Sequence, residues 1–339
     1  MRKRDAHRRS RSQTSRIFEM MARRRLSDDE CFLCGARLTS ANRSDEHVIP
    51  RWCQDRFELW DQRITLLNGT TIPYRQLTIP CCFRCNNSAL QPLETAVAEA
   101  TRLGSAAVRA LDRVCLFSWL GKIFYGLLHR ELFLLLNRRV PAEGTISTPE
   151  LISRFRMHHL FLQNVRIPME FHGGFPASMF IFETKEPSEP KARWDFRDNL
   201  PNLFLSVRLG RVGIVSVLQD GGAQEDLRTQ LEAQWHGPLH PFQYIEVAAM
   251  VCYKALLATR TPKYLVVDGS PVRVVQAPLA GFSSKPLFEQ WDATVFARGF
   301  AEFAQLPLER LVDTEGRVLT WLRNADGSYR DLSSDEWPW

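Results

Sequence analysis

The sequence lacks a long hydrophobic run that is free of charge. Its most apolar stretch, residues 115–136, contains Lys122, His129, Arg130 and Glu131. Charged side chains make a transmembrane span unfavourable, and the same stretch has the helical period of a buried core helix. No apolar segment follows the basic start of the chain, as it would in a secretory signal peptide. These absences argue against a membrane protein and against secretion by a signal peptide.

Acidic side chains are scarce in the first 25 residues, which hold two of them against ten Lys or Arg. The net charge of this arm is +8, whereas residues 26–339 carry 34 basic and 36 acidic side chains. With few apolar residues the arm cannot bury enough surface to fold alone, so we expect a mobile segment that binds polyanions. A solvated terminus, a start at Met20 or Met21 and an organellar transit peptide stay open as alternatives.

The chain also shows no internal repeat. Its length of 339 residues suits about two domains, and 45% hydrophobic and 24% charged residues are typical of a globular protein. We expect a basic arm over residues 1–25, a Cys-rich and turn-rich module over residues 26–104, and a larger domain over residues 105–339. Strand and helix patterns in the larger part, including a hairpin around Gly210, predict a mixed α+β fold, with a loop over residues 184–199.

Four of the eight cysteines form two Cys-x-x-Cys pairs, Cys31 with Cys34 and Cys82 with Cys85. Two such pairs supply all four ligands of a tetrahedral zinc site. Because neither pair lies in a thioredoxin-like βαβ pattern, structural zinc is favoured over redox chemistry. Cys81 is a rival for Cys82, although we prefer the two-residue spacing. Unpaired thiols also fit a reducing, cytoplasmic compartment better than a disulfide scaffold.

One histidine, His47, lies between the cysteine pairs, within Asp45-Glu46-His47-Val48-Ile49-Pro50. Four thiolates already complete the zinc coordination, so the zinc does not need this histidine. A neutral imidazole near carboxylate and amide oxygens has the parts for phosphodiester hydrolysis: a base for water and ligands for a hard divalent cation. The second cysteine pair leads directly into Asn86-Asn87, which supplies such amides.

The order of these motifs resembles the zinc-containing HNH endonucleases of the ββα-metal superfamily. It is most similar to the bacterial subgroup that reads Glu-His-x-Ile-Pro and Cys-x-x-Cys-Asn-Asn, and the resemblance covers residues 31–87 only. It implies a treble-clef-like ββα-metal module in which the zinc is structural and His47 is the general base. It also implies that Glu46 and Asn86 hold a catalytic Mg²⁺ or Mn²⁺.

Three features depart from the family pattern. Asn86 stands where the third motif usually has His, a change that many active members of the family share. Glu46 stands where most HNH enzymes have Asp, which makes the metal geometry looser. The Asn that braces the catalytic loop in the family has no clear counterpart: Gln76 and Leu77 lie near the expected position, and Asn68 is the other candidate. This assignment stays open.

The resemblance implies DNA as the substrate, with RNA as an alternative that the motif does not separate. Arg51 and Arg84 are candidate contacts to the nucleic acid, whereas we expect Trp52 to pack. Proteins with this resemblance often belong to phage defence or restriction. Residues 105–339 show no catalytic motif and are expected to choose the target, bind a protein partner or restrain the nuclease. The alternative function is a non-catalytic zinc module that binds nucleic acid or protein.

Overall fold

The computed structural model describes residues 27–148, 153, 155–234, 237–279 and 284–335. The predicted basic arm lies outside these residues. The chain has a mixed α+β fold with a four-cysteine cluster in its N-terminal part and a larger mixed part. This confirms the predicted fold class.

Regular structure alternates along the whole described chain. The strands are β1 (Arg43–His47), β2 (Arg63–Thr65), β3 (Thr71–Pro73), β4 (Thr78–Cys82), β5 (Met169–His172), β6 (Ser178–Glu183), β7 (Trp194–Asn199), β8 (Phe204–Leu209), β9 (Val212–Val217), β10 (Tyr264–Val267) and β11 (Val272–Gln276). The α-helices are α1 (Arg51–Arg56), α2 (Gln91–Leu103), α3 (Ser105–Arg109), α4 (Arg113–Leu132), α5 (Arg156–Leu162), α6 (Glu225–Gln234), α7 (Pro241–Leu256) and α8 (Ala293–Ala304).

The chain divides into two compact units. Unit 1 joins the chain up to Glu99 with Leu111–His172 and Tyr264–Val275. Unit 2 joins Ala100–Ala110 with Gly173–Lys263 and the chain from Gln276 onward. Both units are therefore discontinuous in sequence.

The antiparallel pair of β1 and β4 carries the predicted site in unit 1. Its register sets His47 opposite Thr78 and Arg43 opposite Cys82, so the histidine and the second cysteine pair lie at opposite ends of the pair. After β4 the chain enters a helix that begins with a π turn, Cys85–Leu90, and continues as α2. The hairpin of β2 and β3 and a three-stranded sheet in the order β10-β11-β5 complete the strands of this unit among the described residues.

Helix α4 is the central helix of unit 1. It begins after Asp112, whose carboxylate accepts the backbone N–H of Cys115 at 3.1 Å. Nearly every side chain from Leu116 to Leu132 is buried, as expected for a core helix. No helix among the described residues is long and apolar enough to cross a membrane.

The position of α4 explains why the predicted boundary between residues 104 and 105 differs from the observed division. Gly126 of α4 lies against the residue that follows His47, and a Cβ at this glycine would come within 2.9 Å of Val48 Cγ2. The helix thus provides apolar surface on which the Cys-rich segment packs. Residues 111–172 consequently belong to unit 1.

Unit 2 is built on a four-stranded antiparallel sheet in the order β6-β9-β8-β7. The predicted hairpin is confirmed, with Gly210 between β8 and β9 at φ +63°. Tyr244 of α7 donates to Ile214 O at 2.9 Å and lies 2.7 Å from Ser206 Oγ, which ties the helix to the sheet.

The predicted loop over residues 184–199 is wrong at its C-terminal end, because β7 occupies Trp194–Asn199. Asp195 and Arg197 form an ion pair on this edge strand, at 2.9 Å between Asp195 Oδ1 and Arg197 Nη2. The alternation of aromatic and charged residues is compatible with an edge strand, and the neighbouring prolines and charges concealed it.

We expect Gly126→Ala to lower the free energy of unfolding by about 1–3 kcal/mol, because the added methyl overlaps Val48 in a packed core. Gly299 of α8 has open space at its Cβ position, so Gly299→Ala is the control and should gain up to about 1 kcal/mol from helix propensity. Chemical denaturation of both variants measures the difference. Stabilisation by Gly126→Ala would contradict the close approach of α4 to Val48.

Candidate zinc centre and active site

The Sγ atoms of Cys31, Cys34, Cys82 and Cys85 all lie within 4.8 Å of one another. The distance between Cys34 Sγ and Cys82 Sγ is 3.8 Å. A tetrahedral zinc with Zn–S bonds of about 2.3 Å places its sulfur atoms about 3.8 Å apart, so the four thiols fit one zinc ion. It is the one group of three or more metal-binding side chains found in the described part of the chain.

Local hydrogen bonds shape each cysteine turn. Gly35, at φ +67°, donates its backbone N–H to Cys31 O at 2.8 Å and closes the first turn. In the second turn the N–H of Cys85 points at Cys82 Sγ at 3.5 Å. Cys81 contacts Cys31 Sγ at 3.9 Å but lies outside the ligand group, which supports the preference for Cys82.

Side chains of α5 and of the residue that follows it, Gln163, hydrogen-bond to the first cysteine turn. His159 Nε2 donates to Phe32 O at 2.8 Å, and Gln163 Nε2 donates to Leu33 O at 2.9 Å. His158 Nε2 donates to Gly121 O in α4 at 3.1 Å. These three side chains are buried, and they support the frame of the zinc site.

His47 ends β1 and is partly buried. Gln54, fully buried in α1, donates its Nε2 to Ile49 O at 2.8 Å and reaches His47 Nδ1 at 3.4 Å. An amide nitrogen can only donate, so Nδ1 is the acceptor of the ring and Nε2 carries the proton of the neutral form. Burial lowers the pKa of His47 below its usual value, and the positive charges of Lys122 and Arg51 lower it further. The imidazole is therefore neutral at pH 7.

Two exposed side chains lie beside His47. The Trp60 ring centroid is 5.8 Å from that of His47, and Arg51 Cζ lies 5.6 Å from the Trp60 centroid. The structure thus brings the predicted contact Arg51 to the site and adds Trp60, which the sequence analysis missed. Trp52 instead packs on Trp119 at 6.0 Å between ring centroids, as expected.

Glu46 faces away from His47, because successive side chains of a strand point to opposite faces. Its carboxylate is buried and forms an ion pair with Lys122 of α4, with 2.5 Å between Glu46 Oε1 and Lys122 Nζ. Lys122 Nζ also lies 2.6 Å from Glu94 Oε1 and donates to His47 O at 2.7 Å. No motif in the sequence predicted this ion-paired group. The signal that could have found it was a lysine in the middle of an apolar helix.

The charges of this group affect one another strongly. Burial raises the pKa of Glu46 to about 7, against the opposing effect of Lys122. Burial by itself would lower the pKa of Lys122, but Glu46 and Glu94 together raise it above its usual value. Lys122 is therefore a permanent ammonium ion in the interior of unit 1.

Asn86 lies in the first turn of the helix after β4. Its Nδ2 donates to Ser44 Oγ at 2.8 Å, and Ser44 shares one face of β1 with Glu46. The three predicted catalytic residues are thus arranged along β1, with Glu46 and Asn86 towards one face and His47 on the other. Arg84, the second predicted nucleic-acid contact, is exposed at the start of the same helix.

The predicted divalent cation would have to compete with Lys122 for Glu46, because Lys122 Nζ lies 2.5 Å from Glu46 Oε1. Asn86 directs its Nδ2 to Ser44, so its Oδ1 is the atom that can serve as a ligand. Anionic and amide oxygens are the donors that Mg²⁺ and Mn²⁺ prefer.

None of the three candidates for the bracing amide contacts the His47 loop through its side chain in the described hydrogen bonds. Asn68 lies at the tip of the β2–β3 hairpin, and its Nδ2 donates to Leu135 O at 3.1 Å. Gln76 is exposed. Leu77 contributes its backbone O, which accepts the N–H of Val48 at 3.0 Å. Gln54 is the amide that braces this loop, from a position after the motif rather than before Cys82.

Comparisons with protein-family models, with curated proteins and with solved structures found no match. The resemblance to HNH endonucleases therefore rests on the sequence motifs alone.

We expect Cys34→Ser to release zinc and unfold the module, because a closed four-thiolate site couples metal binding to folding. The control is Cys81→Ala, which removes a buried thiol next to the cluster but no ligand. Zinc content and circular dichroism measure both effects. Loss of zinc from Cys81→Ala with retention in Cys34→Ser would contradict the ligand assignment.

Proposed function

We propose that unit 1 hydrolyses phosphodiester bonds in nucleic acid, with His47 as the general base. The observation that supports this most is the setting of His47. A neutral imidazole lies at the end of a strand whose other end is fixed by the zinc site, and the exposed Arg51 and Trp60 lie beside it. A general base (His47), a cation that can contact phosphate (Arg51) and an aromatic ring that can stack on a nucleobase or sugar (Trp60) thus occur together.

The chemistry follows from these groups. His47 Nδ1 takes a proton from water, because its 3.4 Å hydrogen bond to Gln54 is long enough to give way. The water oxygen forms a bond to phosphorus while the bond from phosphorus to the 3′ oxygen breaks, and the leaving oxygen takes a proton from solvent, which gives a 5′ phosphate and a 3′ hydroxyl. Arg51 contacts a phosphate oxygen, and His47 afterwards passes its proton to solvent.

The proposal includes the catalytic cation that the motifs predict. Glu46 and Asn86 would hold Mg²⁺ or Mn²⁺ only if the Glu46 carboxylate left Lys122 and turned towards the face of His47, and the cation would then supply positive charge to the phosphate and to the leaving oxygen. DNA is the expected substrate, with RNA as the alternative. The proposal keeps three further expectations. The basic arm binds polyanions, and residues 105–339 choose the target, bind a protein partner or restrain the nuclease. The protein acts in the cytoplasm, in phage defence or restriction.

A second candidate function is a non-catalytic zinc module that binds nucleic acid or protein. One observation favours it: the carboxylate of Glu46 is ion-paired with Lys122. Binding without cleavage would then use the exposed Arg51, Trp60 and Arg84.

We expect His47→Ala to reduce the rate of plasmid nicking in Mg²⁺ by about 100-fold or more, as for loss of a general base. The matched control is His172→Gln, which changes an exposed histidine of the same unit. Gel assays with DNA and with RNA, with and without added Mg²⁺, measure the rates, and zinc content is checked in each sample. Equal nicking by His47→Ala and wild type would leave the binding function as the better account.

The pH dependence of the rate follows from the lowered pKa of His47. Because the neutral form persists below the usual histidine pKa of about 6.5, the rate should stay high at pH 6.5 and fall only at lower pH, by about tenfold per unit. Rates are measured between pH 4.5 and 8, with circular dichroism as a control for folding. A rate that declines already between pH 8 and 7 would contradict a depressed pKa at the base.

A further inference from the structure

Lys122 makes three close contacts from a position with no solvent exposure. The distances from its Nζ are 2.5 Å to Glu46 Oε1, 2.6 Å to Glu94 Oε1 and 2.7 Å to His47 O. An ammonium group has three protons, and these three oxygens can accept all of them. The side chain is thus fully hydrogen-bonded inside the core.

The contacts of Lys122 join three elements at one point. Glu46 and His47 are the last two residues of β1, Glu94 belongs to α2, and Lys122 belongs to α4. One turn further along α4, Gly126 lies against Val48. Helix α4 therefore contacts three consecutive residues at the end of β1, where the base of the proposed reaction lies.

The hydrogen bond to His47 O acts on the peptide group rather than on the imidazole. A fixed carbonyl fixes the peptide plane between His47 and Val48, and with it the direction in which the His47 side chain leaves the backbone. Gln54 holds the chain two residues further on, at Ile49 O, and makes only a long contact of 3.4 Å with His47 Nδ1. The backbone on either side of Val48 is thus held by two separate residues, and Nδ1 can still accept a proton.

The contact with Glu46 acts on the opposite face of the strand. Lys122 binds one carboxylate oxygen of Glu46, while Glu94 supplies the second negative charge that Lys122 faces. Without the ammonium, the buried carboxylate of Glu46 would face the partly exposed carboxylate of Glu94, and the two would repel each other. The orientation of Glu46 therefore depends on Lys122.

We propose that Lys122 is a positioning residue, which holds the His47 peptide and the Glu46 carboxylate in the arrangement that the reaction requires. The effect of Lys122 on the reaction rests on the proposed function. Its effect on the orientation of His47 does not, because that orientation depends on Lys122 whether or not the protein cleaves nucleic acid.

The test uses Lys122→Met combined with Glu94→Gln in the full chain. The double substitution removes the ammonium of Lys122 and the carboxylate of Glu94 together. The net charge of the group is therefore unchanged, because the negative charge of Glu46 remains. The matched control is Glu94→Gln alone, which keeps Lys122 in contact with Glu46 and His47. Zinc content and denaturation midpoints show whether each variant is folded.

Two readouts separate positioning from a merely structural role. In spectra of ¹⁵N-histidine-labelled protein, the ring signals of His47 should shift or broaden in the double variant and stay in place in Glu94→Gln. With DNA as substrate, kcat should fall by about 100-fold in the double variant, as for a misplaced catalytic group, while KM changes by less than about threefold. Glu94→Gln should keep kcat within about threefold of wild type.

Unchanged His47 signals together with unchanged kcat in a folded double variant would overturn the proposal. If wild type does not cleave DNA or RNA, the proposed function fails, and the His47 signals alone decide whether Lys122 positions the ring. If the double variant loses zinc, Lys122→Gln with Glu94→Gln replaces it. The amide introduced at position 122 fills the space of the lysine but lacks its third proton and its charge. The same shifts of the His47 ring signals are therefore expected, and their absence overturns the proposal.

Discussion

Four cysteine side chains whose Sγ atoms lie within 4.8 Å of one another fit one zinc ion, and the rest of unit 1 is arranged around this cluster. The cluster joins a turn at residues 31–34 to the end of β4, and β4 pairs along its whole length with β1. A zinc ion bound there would fix both the strand that ends at His47 and the helix whose first turn contains Asn86. Metal coordination would then take over part of the role of a hydrophobic core.

A second cation, the ammonium of Lys122, fixes the opposite end of the same strand pair. It comes from α4, the helix with the most buried surface in unit 1, so the core of the unit and the candidate site share one residue. Its burial is tolerated because three oxygens replace its hydration. The candidate site thus lies between the four-cysteine cluster near one end of β1 and Lys122 at the other.

How much the sequence predicted depends on the range of each interaction. Cys-x-x-Cys pairs act over one turn, so the zinc ligands could be assigned from spacing, and the β8–β9 hairpin could be assigned from a Gly between two apolar runs. The roles of His47 and Asn86 came from the order of the motifs and its resemblance to HNH endonucleases, and they stay predictions. The partner of Glu46 could not be found, because Lys122 is brought to it only by the packing of α4.

The two other differences have similar causes. The bracing amide was sought before Cys82, where the family pattern has it, whereas Gln54 reaches the loop because α1 folds back beside it. Strand β7 was not predicted because its charged residues are typical of a loop. In the structure two of them, Asp195 and Arg197, pair with each other within the strand. Local motifs therefore predicted the ligands and the fold class, and tertiary packing decided the surroundings of each side chain.

Chemical rescue tests the central claim, that the His47 imidazole is the base at a zinc-fixed site, most directly. In His47→Gly, the space of the partly buried ring is open to small molecules, and added imidazole should restore nicking in proportion to its concentration while zinc content stays constant. Restoration should be absent when the same imidazole is added to wild type. Failure of imidazole to restore any activity to a folded, zinc-containing His47→Gly, beside an active wild type, would contradict a role for His47 as base.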